Sequence, residues 1–202
     1  MTRALLLALL LAAPAAAQTR PSVLPTRDAA VTYRLSGAAQ GQLQELRLSF
    51  LAARGLVRVD AAPGAWIVAD GRGRSGFMVI EAQRTVMDLP SEGNAAAALP
   101  RDTASFVREG ADSVAGLPCT IWRVTDEGRS SRACLTEDGL LLRAESPQGR
   151  MEATAVSRAP LDPARFERPP SFRTMAMPGG RAAPAGEPPR GSALPPPGLG
   201  QR

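Results

Sequence analysis

The two cysteines, Cys119 and Cys134, are the residues of this chain best spaced for chemistry. They flank a predicted hairpin whose turn is Asp126-Glu127-Gly128. Centring the hairpin between residues 126 and 127 places the cysteines opposite each other, near the separation that a disulfide requires. A structural disulfide formed in an oxidising compartment is the main interpretation. A redox-active pair is the alternative, although such pairs usually have the much shorter C-x-x-C spacing.

Carboxylates are the other candidates for catalysis, because the chain contains no histidine. This absence excludes histidine-based triads, histidine metal ligands and imidazole acid–base chemistry. Acidic pairs occur at Asp126-Glu127 and Glu137-Asp138, in predicted turns where such residues are ordinarily solvated. A hydrolase with two converging carboxylates stays open as an alternative. The sequence indicates neither a cofactor nor a metal site.

A glycine-rich segment, GRGRSG at residues 71–76, matches the G-x-G-x-x-G pattern of dinucleotide-binding loops. Such a loop requires a helix directly after the glycines. The segment FMVI at residues 77–80 follows instead, and it has the pattern of a strand. The sequence therefore predicts a glycine-rich turn between two strands.

Large aromatic residues are the candidates for ligand binding. Tyr33, Phe50, Trp66, Phe77 and Trp122 all lie on predicted strands. Such residues commonly fill a core, because aromatic side chains bury much apolar area. They could also line an apolar cavity inside a curled sheet that has few helices to fill it. Both interpretations stay open.

The elements that position these residues are predicted to be short strands with alternating apolar and polar residues. Two segments show the alternation clearly, and we expect their apolar residues to face one common interior: Val31, Tyr33 and Leu35, then Leu46, Leu48 and Phe50. Trp66, Phe77 and Trp122 are expected on or near the same interior.

About ten such strands follow one another with turn signals between them, which predicts a mainly β fold. The expected architecture is a curled antiparallel sheet, an unclosed or half barrel, with one or two short helices. One helix is expected to start at Asp162-Pro163, with Asp as the N-cap and Pro at the first helical position.

The two ends of the chain differ in composition from the middle. Residues 1–17 combine a positive start, an apolar run and an Ala-Ala-Ala cleavage site, which predicts a cleaved secretory signal peptide. The run is too short to span a bilayer, so no membrane span is expected in the mature chain. Residues 18–29 are predicted to be an extended lead-in and residues 30–175 the β domain. Residues 176–202, rich in Pro, Gly, Ala and Arg, are predicted to be a disordered tail.

The formal net charge of +5 does not indicate a nucleic-acid partner. Between residues 18 and 172 the charges nearly balance, with 19 arginines against 18 acidic residues, so no clustered basic patch is expected. The chain has no lysine and much Ala, Arg, Gly and Pro, which is typical of a GC-rich bacterial genome. With the signal peptide, this composition predicts a periplasmic or secreted bacterial protein.

Three segments carry a resemblance to a known family: AWIVAD at 65–70, VAGLPCTIWRV at 114–124 and ACLTEDGLLLR at 133–143. Over about residues 30–175 the chain resembles secreted bacterial domains of unknown function allied to the LolA/LolB-like superfamily of periplasmic lipoprotein carriers. The resemblance implies a strongly curved, unclosed antiparallel sheet with a helix or two on its concave side. It also favours an apolar ligand, and it assigns no individual functional residue.

The sequence thus predicts a non-enzymatic periplasmic binding domain for an apolar ligand, a lipid or acyl chain, or for an envelope protein partner. One alternative is a structural or interaction module that acts through the proline-rich tail. The other is the histidine-free, carboxylate-based hydrolase. A filled interior would favour the module, and two acids facing each other across a cleft would favour the hydrolase.

Overall fold

The computed structural model describes residues 20–37, 45–71, 75–89, 100 and 102–176. The predicted signal peptide and nearly all of the predicted tail lie outside the described residues. Within these described residues, twelve strands form one sheet: β1 (Ala29–Ser36), β2 (Glu45–Leu51), β3 (Leu56–Ala62), β4 (Ala65–Asp70), β5 (Gly76–Ile80), β6 (Thr85–Leu89), β7 (Ser105–Val114), β8 (Leu117–Asp126), β9 (Arg129–Leu135), β10 (Leu141–Ser146), β11 (Gly149–Ser157) and β12 (Arg173–Ala176).

The strand order is two antiparallel meanders that share a centre. From β1 the chain runs outward to β6, and a second meander returns from the far edge, β7, to β11, which pairs with β1. The short β12 pairs in parallel with β6. The edges β7 and β12 do not pair with each other, so the sheet is not closed. The predicted mainly β, unclosed antiparallel sheet is therefore confirmed.

Helical structure in the described part is limited to three short 3-10 helices at Ala52–Arg54, Glu81–Gln83 and Pro163–Phe166. The last begins where the sequence predicts a helix. The Asp162 carboxylate accepts a hydrogen bond of 2.9 Å from the backbone N–H of Ala164, and Pro163 stands at the first helical position. Among the described residues, no helix is long and apolar enough to cross a membrane.

A contact at one end of the sheet shows how strongly it curls. In a flat sheet the ends of β4 and β10 would lie five strand spacings apart, about 24 Å. Leu24 of the lead-in touches both ends. The Cδ1 atom of Leu24 lies 2.9 Å from the point where a Cβ on Gly71 would stand. Its carbonyl oxygen lies 2.6 Å from the point where a Cβ on Gly139 would stand. One residue can bridge these points only because the sheet curves around it.

The β8–β9 hairpin carries the disulfide, as predicted, but in a different register. Cys119 and Cys134 are joined, with their Cα atoms 5.4 Å apart. The turn is centred between Glu127 and Gly128, because both residues adopt positive φ, the conformation of a two-residue hairpin loop. Cys134 therefore stands opposite Ile121 rather than Cys119. The shift is by two residues, so both cysteines stay on one face and bond diagonally.

The buried residues form two apolar clusters. The first draws on strands from both meanders, and its buried members are Ala29, Val31, Tyr33, Phe50, Val57, Val59, Val114, Cys119, Cys134, Leu140, Leu142 and Ala153. The second lies on β3 to β6, with Leu51, Trp66, Val68, Phe77, Val79, Val86 and Phe166 buried. The two clusters meet at β4, where Ile67 packs against the first and its neighbour Trp66 belongs to the second.

The segment after β11, residues 158–172, covers the second cluster, and we call it the C-terminal strap. It contributes the buried Phe166 and the partly buried Leu161 and Phe172. The Arg168 guanidinium stacks 4.6 Å from the centre of the Phe77 ring, and the Arg58 guanidinium stacks 4.0 Å from that of Trp66. Arg58 also donates a 2.7 Å hydrogen bond to the carbonyl oxygen of Arg165. The strap therefore seals this part of the sheet.

Candidate binding face

A row of apolar side chains crosses five strands on the face of the sheet that carries Tyr33, which we call the Tyr33 face. Residues directly opposite on paired strands project to the same face. Along the register the row contains, from β1 to β8, Leu35, Met151, Ala144, Ala133 and Trp122. All five are partly exposed rather than buried. This apolar row is a continuous line of accessible apolar side chains across five neighbouring strands of the Tyr33 face.

A groove of about 350 Å³ opens at the β1 end of the row. Leu35 and Met151 border it, and the small Ala144 belongs to its lining. The turn between β10 and β11 contributes polar groups at the rim, including Ser146 and Arg150. Clefts of this volume, lined by apolar side chains with a few polar groups at the rim, are typical of small-ligand sites.

Three of the five aromatic residues singled out from the sequence lie on the Tyr33 face. Tyr33 is fully buried, and its hydroxyl donates a 2.6 Å hydrogen bond to the backbone carbonyl of Leu141. Burial raises the pKa of this phenol, so it stays a neutral donor. Phe50 is buried in the same cluster, whereas Trp122 is partly exposed and ends the apolar row. Val31, Leu46 and Leu48 share this interior, as predicted.

Trp66 and Phe77 lie on the opposite face, so the expectation that they share the interior of Tyr33 is wrong. Their rings form an edge-to-face pair in the second cluster, with centroids 5.8 Å apart, beneath the C-terminal strap. The reason is the composition of β4. Consecutive residues of this strand are apolar, so no alternation with polar residues fixes which side chains face inward. Ile67 projects to the Tyr33 face, and Trp66 projects to the opposite face.

The alanines of the row were missed by sequence reasoning, which looked for large aromatic residues. Ala133 and Ala144 stand directly opposite each other on β9 and β10. Small side chains leave room above the sheet. A search for bulky residues cannot find such positions. That the five aromatic residues singled out from the sequence line a ligand site stays a prediction.

The face opposite the row carries a network of ion pairs on β7 to β11. Arg143 pairs with Asp112 at 2.7 Å, Arg132 pairs with Glu109 at 2.8 Å, and Arg123 pairs with the same Glu109. Arg150 of this face also pairs with carboxylates, at 3.1 Å in the case of Glu145. A cleft of about 270 Å³ lies between these groups, lined in part by Ile121 and Cys134. Their partners largely cover the Glu109 and Arg143 side chains, which are 15% and 16% exposed, whereas Arg123 and Arg132 stay exposed.

Hydrogen bonds from arginines set the ionisation of two carboxyls in this network. The hydrogen bond from Arg123, followed by that from Arg132, holds the pKa of Glu109 below its ordinary value. The hydrogen bond from Arg143 lowers the pKa of Asp112 in the same way. Both groups are therefore carboxylates at neutral pH, which is unlike the protonated acid that a hydrolase of the two-carboxylate type requires.

The two acidic pairs named from the sequence lie at opposite ends of one strand. Asp126 and Glu127 stand at the β8–β9 turn, and Glu137 and Asp138 follow the far end of β9. The seven residues of β9 between them span roughly 23 Å. Paired catalytic carboxyls of glycosidases lie about 5–9.5 Å apart, so these two pairs do not form such a site together.

The glycine-rich segment lies between β4 and β5, which pair antiparallel. The structure describes residues 71, 75 and 76 of it, and the strand β5 begins at Gly76 rather than a helix. The predicted strand after the glycines is confirmed, and residues 72–74 of the predicted turn lie outside the described residues. Within the described residues, no group of three or more Cys, Asp or Glu side chains is arranged to hold a metal ion.

No protein-family model matches the chain, and no curated protein matches it. Several solved structures are similar to it. The crystal structure of an uncharacterized conserved protein from Thermus thermophilus has a TM-score of 0.52 and 12% identity, covering 75% of this chain and 91% of that one. PNGF-II has a TM-score of 0.49 and 11% identity, covering 75% and 32%.

The MucA/MucB complex of Pseudomonas aeruginosa contains a chain with a TM-score of 0.42 and 14% identity to this one, covering 78% of this chain and 62% of that one. At such identities and TM-scores the likeness says nothing about function. What this chain binds has to be argued from its own surface.

Proposed function

We propose that this chain is a non-enzymatic binding domain of the bacterial periplasm and that its ligand is an acyl chain lying along the apolar row. The observation that carries the proposal is the row itself. Five apolar side chains on one face of five neighbouring strands remain partly exposed, although a core of twelve buried residues lies beside them. Water contact with such a line of side chains is unfavourable, and covering it is worth roughly 25 cal/mol per Å².

The shape of the row favours a single chain over a bulky ligand. The row is one side chain wide and crosses four strand spacings, about 19 Å along the sheet. Ala133 and Ala144 form its middle, so the low part of the row lies between larger side chains at the two ends. An unbranched hydrocarbon fits such a strip, and each methylene that leaves water contributes about 0.8 kcal/mol.

The disulfide and the predicted signal peptide support a location outside the cytosol, because disulfides persist in oxidising compartments. An apolar segment of an envelope protein is the second candidate for the ligand. The open groove favours it in one respect, since an enclosed cavity would admit only a small molecule.

A calorimetric titration with dodecanoate tests the proposal. Ala144→Phe fills the middle of the row and is expected to weaken binding at least tenfold. Ala155→Phe is the matched control, because Ala155 is exposed and stands opposite Thr32 on the other face. Equal binding by all three proteins, or binding by none, would overturn the acyl-chain proposal. Native mass spectrometry of protein from its own host distinguishes a lipid from a bound protein.

A further inference from the structure

Three methionines stand side by side on β5, β6 and β12. Met78 pairs directly with Met87 across the antiparallel β5–β6 ladder, and Met87 pairs directly with Met175 across the parallel β6–β12 ladder. Residues directly opposite on neighbouring strands project to one face, so the three side chains form a line, which we call the methionine row. Met78 also stands opposite Ile67, which packs against the first cluster, so the methionine row lies on the Tyr33 face.

The methionine row is accessible and does not belong to the core. Met78 and Met87 are only partly buried, and Met175 is 51% exposed. Neither of the two apolar clusters that the described residues form contains any of the three. The other exposed large apolar side chain of the described part, Val107, lies on the opposite edge strand. A solute can therefore reach the row from the Met175 end.

The spacing of the row suits coordination of one ion by several sulfur atoms. Directly opposite residues have Cβ atoms about 4.5–5.5 Å apart, and neighbouring strands lie about 4.7–4.9 Å apart. A methionine side chain is unbranched and has three rotatable bonds, so its sulfur can move along the row. The sulfurs of the two outer methionines can thus converge with that of Met87 above the middle strand.

The composition of the chain leaves thioethers as its free soft ligands. It has no histidine, and both cysteines are joined in the disulfide. Thioether sulfur selects soft metals such as Cu(I), whereas Ca²⁺ and Mg²⁺ require oxygen ligands. The register and the alternation of the strands give the row these neighbours on its own face: Ile67, Gly76, Ile80, Thr85, Leu89 and Arg173. Because these neighbours include no carboxylate and one arginine, the surroundings disfavour hard divalent cations.

We propose that the methionine row binds a soft monovalent cation, Cu(I), through the thioether sulfurs of Met78, Met87 and Met175. Each sulfur donates a lone pair to the metal, so no proton leaves and no oxidation state changes. The site lies on β5, β6 and β12, away from the apolar row on β1 and β8 to β11. The proposal therefore goes beyond the acyl-chain function and does not depend on it.

Titration with Ag(I), a soft monovalent probe that is stable in air, tests the site. The protein is the full chain without the predicted signal peptide, carrying ¹³C-methyl methionine, in buffer free of chloride and fatty acid. One Ag(I) per chain is expected to shift the methyl signals of Met78, Met87 and Met175, and each Met→Leu variant assigns its own signal. The signal of Met151, which lies on the apolar row, should stay in place.

Two variants compare the affinity for Ag(I) by calorimetry. Met87→Leu removes the middle sulfur but keeps an apolar side chain of similar volume, and it is expected to weaken binding at least tenfold. Met151→Leu is the matched control and should bind like the wild type. Equal affinities of the two variants, methyl shifts spread evenly over all four methionines, or the absence of any shift would overturn the site.

An anaerobic titration with Cu(I), supplied as its acetonitrile complex, identifies the metal. The same three methyl signals are expected to shift, and Zn(II) is expected to shift none of them. Binding of Ag(I) without binding of Cu(I) would overturn the assignment to copper. None of these titrations contains an acyl chain, so their failure would leave the acyl-chain proposal to be decided by its own experiment.

Discussion

The two faces of the sheet are covered differently, because the C-terminal strap lies on the face opposite Tyr33 and the apolar row lies on the Tyr33 face. On β3 to β6 the C-terminal strap covers Trp66 and Phe77 and adds Phe166 as a buried anchor. On β8 to β11 and β1 the apolar row stays partly exposed. The comparison teaches that large aromatic residues alone do not distinguish the proposed binding face, since Trp66 and Phe77 lie on the covered face. The informative feature is an apolar line that the chain leaves without a permanent cover.

Arginine side chains as well as apolar contacts hold the strap on β3 to β6, which we call the sealed half of the sheet. Arg58 stacks on Trp66, Arg168 on Phe77, and the Arg84 guanidinium lies 5.4 Å from the centre of the Phe172 ring. The planar guanidinium can stack on a ring while it also donates hydrogen bonds. The strap is therefore held both by burial and by polar contacts. No such cover lies over the apolar row among the described residues of β7 to β11 and β1, which we call the open half of the sheet.

The largest effect is expected from removing the anchor of the strap. Phe166→Ala should lower the free energy of unfolding by about 3–5 kcal/mol, because Phe166 is only 2% exposed and its loss leaves a cavity. Phe106→Ala, at the partly exposed edge of the open half, should cost less than half as much. Urea unfolding of both variants measures the difference, and equal losses would mean that the two halves are not differently sealed.

The disulfide of the open half is expected to have the next largest effect. Replacing both Cys119 and Cys134 with Ser should destabilise the protein by roughly 3 kcal/mol, since the bond constrains the unfolded chain. Dodecanoate binding of the folded variant should persist, because the cysteines lie on the ion-pair face rather than on the row. Thiol labelling of wild-type protein should find no free cysteine before reduction, and a reactive thiol would revive a redox role.

A smaller effect is expected from the ion pairs behind the row. Hydrogen bonds from Arg123 and Arg132 lower the pKa of Glu109 below its ordinary value of 4.5. A carboxyl with a lowered pKa stabilises the fold above that value, and the stabilisation disappears as the pH falls through the lowered pKa. Glu109→Gln should therefore lose less stability than the wild type on acidification below about pH 4.5.

Urea unfolding at a series of pH values measures this difference. Glu81→Gln removes a carboxylate from the sealed half and controls for the change in net charge. Parallel curves for wild type and Glu109→Gln would show that the ion pairs of the open half do not contribute to stability.

The sequence predicts the sheet well because alternation is a local signal. Val31 and Tyr33, with Leu46 and Leu48, face the expected interior, since polar residues between them leave no other arrangement. The cap of the last short helix is equally local, because Asp162 and Pro163 act within one turn.

The proposed binding face was harder to predict because it depends on contacts between distant segments. Trp66 lies in a run of apolar residues, so its side of the sheet is decided by the strap that comes about a hundred residues later. The strand β12 was not predicted either, since it forms only by pairing in parallel with β6. The apolar row could not be predicted from the sequence, because it depends on the strand register that places Ala133 opposite Ala144.

The most direct test of the account is the emission of Trp122 in a Trp66→Phe background, where it is the only tryptophan because the chain has two. Titration with dodecanoate is expected to shift this emission to shorter wavelength and to reduce quenching by acrylamide. Ala144→Phe in the same background should abolish both changes. Emission and quenching that stay constant throughout the titration would contradict the claim that the open half of the sheet binds an acyl chain.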